Sequence, residues 1–402
     1  MNATDELFTR SSAIAIHWLL VIWAVLACLF WSLSYLKASR AIQSSQQLKD
    51  LHPQAPQNYP KLSMIIPACN EGVTLEQAIT TILKQDYPDL EIILINDRST
   101  DKTGELIDKL AAQDNRIVPT HITHLPAGWL GKVHALHVGT QKATGEWLLF
   151  TDADVHFAPN VLRKSIAFSL EQQLDHLTIA PDVYRQSFWL DVALAAFTLV
   201  FFISLSGSGK PESDRFVGVG AFNLVRRSLF AQTEGFSWLR MEVLDDVGLG
   251  LMLHQAGAKS CLLLGTDVIG LVWYPSLLAM MRGLEKNLFG VSAHYRYSNL
   301  VASVGLIWLI NVGWVVAVLQ PVGSWLWGLG IAAYGCMLLY QWIGWTTFDR
   351  WKPAFLLIPI GQLILSVMLL RSAFYCWQYQ GIVWRGTLYP LQQLREEQRV
   401  KI

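Results

Sequence analysis

The sequence predicts an α/β domain built on a mostly parallel sheet, with one N-terminal and about three C-terminal membrane helices. Three observations carry this. Over residues 61–155, short apolar strand signals alternate with helix signals, the pattern of a sheet with right-handed crossovers and helices on both faces. Of 402 residues, 52% are hydrophobic and only 15% charged, with 17 Trp, which is too apolar for an ordinary soluble chain. The long apolar runs lie near the two ends, outside the alternating region.

The balance of 31 basic and 31 acidic residues excludes a nucleic-acid surface. Five cysteines are scattered, and Cys28, Cys336 and Cys376 lie in apolar runs, so neither a disulfide framework nor a thiolate metal site is indicated. After an N-terminal tail over 1–12, the run Ala13 to Leu36 would cover roughly 36 Å as a helix, against a bilayer core of about 30 Å. Asp5 and Glu6 precede it and no small-residue cleavage site follows, so it reads as an uncut anchor. Residues 37–60 are polar, carry Lys37, Arg40 and Lys49, end in Pro53, Pro56 and Pro60, and read as a linker.

The catalytic region is expected over 61–298. Its strands are Leu62 to Ile66, Leu90 to Ile95, a weaker one around Ile117 to Ile122, and Trp147 to Phe150; its helices are Leu75 to Gln85, Thr103 to Gln113 and about Val133 to Ala143. In such sheets ligands bind at the carboxyl ends of the strands. There the polar residues gather: Pro67-Ala68-Cys69-Asn70-Glu71, Asn96-Asp97-Arg98-Ser99 and Thr151-Asp152-Ala153-Asp154. Asp152 and Asp154, two apart, can converge as hard ligands for Mg²⁺ or Mn²⁺ holding a diphosphate. The competing reading is a strand-end turn whose aspartates satisfy backbone donors. Asp97, open to use as a helix N-cap, could also accept from a base or ribose, with Asn70 and Glu71 adding contacts. Together they describe a nucleotide-diphosphate pocket.

These motifs, with Gly128-Trp129-Leu130-Gly131-Lys132 and Leu244-Asp245-Asp246 followed by Leu249, Leu253 and Gly257, resemble the membrane-bound members of glycosyltransferase family 2, which have a GT-A fold. The likeness covers most of residues 61–300. The Gly128–Lys132 loop and Arg282-Gly283-Leu284-Glu285-Lys286-Asn287 resemble the branch associated with lipids such as hopanoids, carotenoids and sphingolipids. The resemblance implies that Asp97 and Pro67, Asn70 and Glu71 around it serve the nucleotide, and that Asp154 and Asp152 hold the metal and sugar-diphosphate. It also implies that Lys132 neutralises phosphate charge. Where the family pattern reads Glu-Asp, its second acid takes the acceptor's proton, so Asp246 is the candidate base and Asp245 replaces the glutamate. Val383-Trp384-Arg385-Gly386-Thr387-Leu388-Tyr389-Pro390 resembles a Trp-Arg-Gly-Arg-x-Tyr segment with Thr387 in place of the second arginine, leaving any phosphate clamp to Arg385.

Gly218-Val219-Gly220-Ala221 lacks a P-loop's Gly-Lys-Ser/Thr ending, so Gly220 is expected to permit close backbone approach to a sugar or acceptor. His134 and His137 share a helix face but have no carboxylate pattern beside them for zinc. Residues 188–205 are apolar yet short, and read as an interfacial segment; Met280 to Phe289, including Arg282, reads either as a second one or as a plain surface helix. Membrane helices are expected over 299–378, in the blocks Leu300 to Leu319, Val322 to Trp345 and Ala354 to Trp377, before a tail over 379–402.

By the positive-inside rule, Lys37, Arg40 and Lys49 place the catalytic domain in the cytoplasm at the inner membrane, with Arg350 and Lys352 returning inside. Pro359 and Gly361 would then break the last block into bent or re-entrant halves, so that a basic tail stays cytosolic. The expected activity is inverting, metal-dependent transfer of a sugar from a nucleotide-sugar donor to a lipid hydroxyl acceptor. The alternatives are a processive polysaccharide synthase, whose Gln-x-x-Arg-Trp motif does not occur in the sequence, and a non-catalytic nucleotide-sugar-binding membrane protein.

Overall fold

The computed structural model of the protein describes residues 3–204, 216–348 and 353–401. Leu205, at the end of the expected interfacial segment, and Arg350 and Lys352 lie outside these residues. The chain opens with α1 (Ala3–Ser44) and continues through β1 (Leu62–Ala68), α2 (Leu75–Leu83), β2 (Leu90–Asp97), α3 (Thr103–Gln113), β3 (Ile117–Ile122), α4 (Gly131–Lys142) and β4 (Trp147–Phe150). Then come β5 (His156–Phe157), α5 (Val161–Glu171), β6 (His176–Val183), α6 (Phe188–Ser204), β7 (Asn223–Arg226), α7 (Arg227–Phe230), α8 (Asp245–Gln255) and β8 (Ser260–Leu271). The last elements are α9 (Leu277–Leu284), α10 (Leu288–Ala293), α11 (Tyr297–Val318), α12 (Trp325–Phe348), α13 (Ile358–Tyr379), β9 (Gly381–Trp384), β10 (Thr387–Pro390) and α14 (Leu391–Glu397). Two compact units result, one of helices (1–43, 187–206, 296–371) and one α/β (44–186, 207–295, 372–402).

The α/β unit holds one sheet in the order β3-β2-β1-β4-β7-β6-β8-β5. Leu62, Met64, Ile65 and Ile66 of β1 are wholly buried without alternation, as a strand covered on both faces must be. β1 runs parallel to β2 and β4, with Ala68 opposite Asn96 and Ile65 opposite both Ile93 and Phe150. The loops after β1, β2 and β4 therefore leave one edge side by side, where the strand order reverses about β1. Beyond β4 the sheet turns mixed: β7 is antiparallel to β4 and β6, β8 is parallel to β6, and β5 is antiparallel to β8.

The expected helix over Met280 to Phe289 divides at Leu284, giving α9 and α10. Ser372 Oγ fills the break, donating to the Glu285 carbonyl at 2.5 Å and accepting from Phe289 N at 3.1 Å. From Ser372 onward the chain belongs to the α/β unit. Arg399 N and Val400 N both donate to the buried Glu242 Oε2, at 2.7 and 2.9 Å.

Four helices, counted over Ile14–Ser44, Tyr297–Val318, Trp325–Thr346 and Ile358–Tyr379, are long and apolar enough to cross a membrane. α1 runs past the expected linker start at Lys37 because Trp31, Tyr35, Ala38 and Ile42 keep one buried stripe at helical spacing while Lys37 and Arg40 face outward. Gly313 of α11 lets that helix approach α1: a Cβ there would stand 2.7 Å from Ala27 Cβ, and Trp23 Nε1 donates to the Leu309 carbonyl at 2.8 Å. α6 packs on the start of α13, with Gln362 Nε2 donating to the Ala196 carbonyl at 3.3 Å. Its buried face is Leu190, Val192, Ala193 and Ala196, while Phe188, Trp189 and Val200 are exposed.

The last apolar block is not divided into half-helices. A 3₁₀ turn over Pro353–Leu357 leads into a continuous α13, where Pro359 occupies the first turn and so removes no helical hydrogen bond. Gly361 serves a different purpose from a kink: a Cβ there would lie 2.3 Å from the Val192 carbonyl oxygen.

Residues 296–371 leave the α/β unit and the chain returns to it. Topology reporters inserted within 45–60 and fused after Ile402 are expected to read the same side. A C-terminal reporter accessible only from the opposite side would detach the tail from the α/β unit.

Candidate active site

The loops at the carboxyl edge open a cavity of about 510 Å³. Pro67, Glu71, Asp97, Lys132, Asp152 and Asp154 line it, as do Arg282 and Arg385, so most of the residues singled out in the sequence meet here. Asn70 does not. It takes a left-handed backbone (φ 57°), donates from its N–H to Ser99 Oγ at 3.0 Å and accepts from Thr100 N at 2.8 Å, clamping the first loop to the second. Asp97 is buried, and both its oxygens accept from the Arg98 guanidinium, at 2.7 and 3.0 Å. Gly131 abuts this pair, since a Cβ there would meet Arg98 Nη2 at 2.3 Å.

Asp152 precedes a turn over Ala153 and Asp154 after β4, so the backbone there is no longer extended. Burial, then the neighbouring charges of Asp152 and Glu71, push the Asp154 carboxyl up to about 7. Three carboxylates meet at this corner, of which Asp152 and Glu71 are ion-paired with Lys132 and Arg385. Asp152 and Asp154 would supply two of the oxygen ligands that a Mg²⁺-like ion takes. No group of three or more His, Cys, Asp and Glu able to hold a metal occurs among the described residues.

Lys132, in the first turn of α4, has two carboxylate partners: Asp152 Oδ1 at 2.8 Å and Asp245 Oδ2 at 3.1 Å. Burial opposes its charge, but Asp152 and Asp245 outweigh that and hold the ammonium well above its usual range. Its charge is matched within the protein, and it links the β4 loop to α8. Asp246, next along α8, accepts from Gly220 N and Val247 N, both at 2.8 Å. Burial and the adjacent Asp245 raise its carboxyl to about 6. A side chain poised near neutrality is what a general base needs.

Gly220 sits where these groups converge. A Cβ there would be 2.8 Å from Asp152 Oδ2, 3.5 Å from Asp246 Oδ2 and 3.6 Å from Lys132 Nζ. The close approach expected of this loop is therefore made to the protein's own carboxylates. Gly220→Ala should displace the Asp152 carboxylate and lower turnover at least about tenfold, with little change in unfolding temperature. Unchanged kinetics in that variant would show that Asp152 tolerates the shift.

The C-terminal hairpin completes the wall. Arg385 and Gly386, both at positive φ (50° and 77°), form the tight turn between β9 and β10. Arg385 Nη2 pairs with Glu71 Oε1 at 2.7 Å and its Nη1 donates to the Cys69 carbonyl, while Gly131 N donates to Tyr389 Oη at 3.2 Å. Trp384, Tyr274 and Lys286 also line the cavity. Burial, then Asp154 and Asp152, push Tyr274 up to about 12, so its hydroxyl stays protonated as a donor. No local signal marks Tyr274 as a site residue, and it reaches the cavity through long-range packing; Arg98 and Tyr389 lie in motifs that the sequence already singles out.

Residues 63–246 match the family described as Glycosyl transferase family 2. A GalNAc(5)-diNAcBac-PP-undecaprenol beta-1,3-glucosyltransferase of Campylobacter jejuni is 39% identical over 95 residues, 24% of this chain and 30% of that protein. A poly-beta-1,6-N-acetyl-D-glucosamine synthase of Staphylococcus epidermidis is 25% identical over 228 residues, 53% of this chain and 52% of that protein. The chain thus spans about a third to a half of the length of these relatives. Among solved structures, mannosyltransferase PcManGT from Pyrobaculum calidifontis, in complex with GDP-Man and Mn²⁺, superposes with a TM-score of 0.55 at 17% identity. That alignment covers 87% of this chain and 99% of the other, and the two share a fold.

Proposed function

We propose that the chain, whose residues 63–246 match glycosyltransferase family 2 and which has a GT-A-like α/β unit and four helices long and apolar enough to span a membrane, moves a sugar from a nucleotide-sugar to a lipid hydroxyl. The single observation that carries this reading is the Asp152–Lys132–Asp245 bridge. It ties the donor-side Asp152 to Asp245, the neighbour in sequence of the candidate base Asp246.

In this reading the acceptor hydroxyl loses its proton to Asp246 Oδ2 as its oxygen attacks the anomeric carbon from the face opposite the diphosphate, and configuration inverts in one displacement. Asp152 and Asp154 would hold a Mg²⁺ or Mn²⁺ ion, which would supply positive charge for a departing diphosphate. The mannosyltransferase of like fold, in complex with GDP-Man and Mn²⁺, supports that choice of metal and donor class. Asp97 with Arg98 forms the base end of the site, and Pro67 and Glu71 its wall. Lys37, Arg40 and Lys49 favour a cytoplasmic catalytic unit at the inner membrane.

The lipid acceptor is supported by the likeness to the undecaprenol-linked glucosyltransferase and by the membrane helices. The poly-N-acetylglucosamine synthase relative favours a second reading, chain polymerisation. Mass spectrometry of lipids from a deletion strain, paired with turnover of nucleotide-sugars by the purified chain on a membrane-lipid extract, tests both. A glycolipid that disappears on deletion supports transfer to lipid, and a long polymer made in vitro would replace that reading with the synthase.

A further inference from the structure

The cations lining the cavity are not equivalent. Lys132 is matched by Asp152 and Asp245, Arg98 by Asp97, and Arg385 by Glu71. Lys286 and Arg282 have no carboxylate within ion-pair distance among the described residues, but Arg282 is exposed whereas Lys286 is half-buried. Its ammonium instead stands 3.6 Å from the centre of the Trp384 ring. Burial, then the like charge of Lys132, brings its pKa down to about 8, whereas Asp245, Asp152 and Asp246 act the other way. An aromatic face orients an ammonium but does not replace its lost water, so a half-buried lysine in this position is incomplete until an anion arrives. The cavity it lines is the one bordered by Asp152 and Asp154.

We propose that Lys286, held in place by Trp384, binds the diphosphate of the donor and of the departing nucleoside diphosphate. This rests on the nucleotide-sugar reading above and assigns one further residue to it. The break between α9 and α10 that Ser372 stabilises presents Lys286, and the β9–β10 turn presents Trp384, so the C-terminal hairpin is part of the donor site through a contact 98 positions long in sequence. Trp384 is a positioning residue in this scheme. Lys286 touches the substrate.

The probe is inorganic pyrophosphate with Mn²⁺, titrated into the full-length chain in detergent by calorimetry, with GDP, UDP and their nucleosides alongside. Lys286→Gln should weaken pyrophosphate and nucleoside diphosphate binding about 10- to 100-fold, the usual effect of removing a charge-assisted hydrogen bond. Nucleoside binding should not move. Lys286→Arg, which keeps the charge over the ring, should retain most of the affinity, and Trp384→Leu should lose part of it. If Lys286→Gln binds pyrophosphate as tightly as the unaltered protein, the assignment fails while the glycosyltransferase reading stands. If the unaltered protein binds no nucleoside diphosphate and consumes no nucleotide-sugar, the reading itself fails.

Discussion

Asp154→Ala or Asp152→Ala is expected to abolish sugar transfer, by about 10³-fold or more, without unfolding the α/β unit. Both carboxylates line the cavity, and neither carries the core, which is formed by residues such as Leu62, Ile66, Leu94 and Leu149. Asp154 in particular is held at a cost: burial and the charges of Asp152 and Glu71 disfavour its ionised form. Removing it relieves that repulsion, so Asp154→Asn should unfold at the same temperature as the parent protein or higher while losing activity. Stability traded for function in this way is the mark of a site built to receive a cation. A chelator should reproduce the kinetic defect, and Mn²⁺ binding followed by electron paramagnetic resonance should disappear in the variants. Undiminished turnover in EDTA would remove the metal from the mechanism.

How much of the molecule is legible in the sequence depends on how far apart the interacting residues lie. The βα series from Leu62 to Phe150 reads well because its strands are short apolar runs and α2 and α3 carry a local amphipathic pattern; α3 spans Thr103–Gln113 as expected. Its parallel order about β1 follows from the crossover rule, so the carboxyl edge can be located from sequence. The other half of the sheet is not legible. β6 and β8 pair in parallel although His176 faces Ser260, 84 positions on, and no periodicity announces such a partner.

The same distance limits the site. Asp152, Asp154 and Asp246 are recognisable as motifs, but that Lys132 is matched by two of the carboxylates, or that Lys286 meets Trp384, depends on the folded chain. Proline and glycine mislead at α13 because their effect depends on position: Pro359 falls in a first turn and Gly361 against a neighbouring carbonyl, and neither breaks the helix.

Asp246→Asn should leave donor binding intact and cut turnover by about 10²- to 10⁴-fold, the range for losing a general base. Asp246 does not line the donor cavity, so nucleotide affinity has no reason to change. The substitution is nearly isosteric, but the two carboxylate oxygens accept from Gly220 N and Val247 N, and an asparagine can replace only one of them as acceptor. One backbone N–H is left without its partner, and a modest loss of stability, about 1 kcal/mol, should accompany the kinetic defect. The pH profile separates the two effects. With its carboxyl raised to about 6, Asp246 is protonated and idle at lower pH, so kcat/KM of the parent enzyme should rise with pH through that value and then level off. The residual rate of Asp246→Asn should lack this rise, because an amide has no proton to lose over the range. Near-normal turnover in Asp246→Asn, or a residual rate that still rises through about pH 6, would assign the proton transfer to another group.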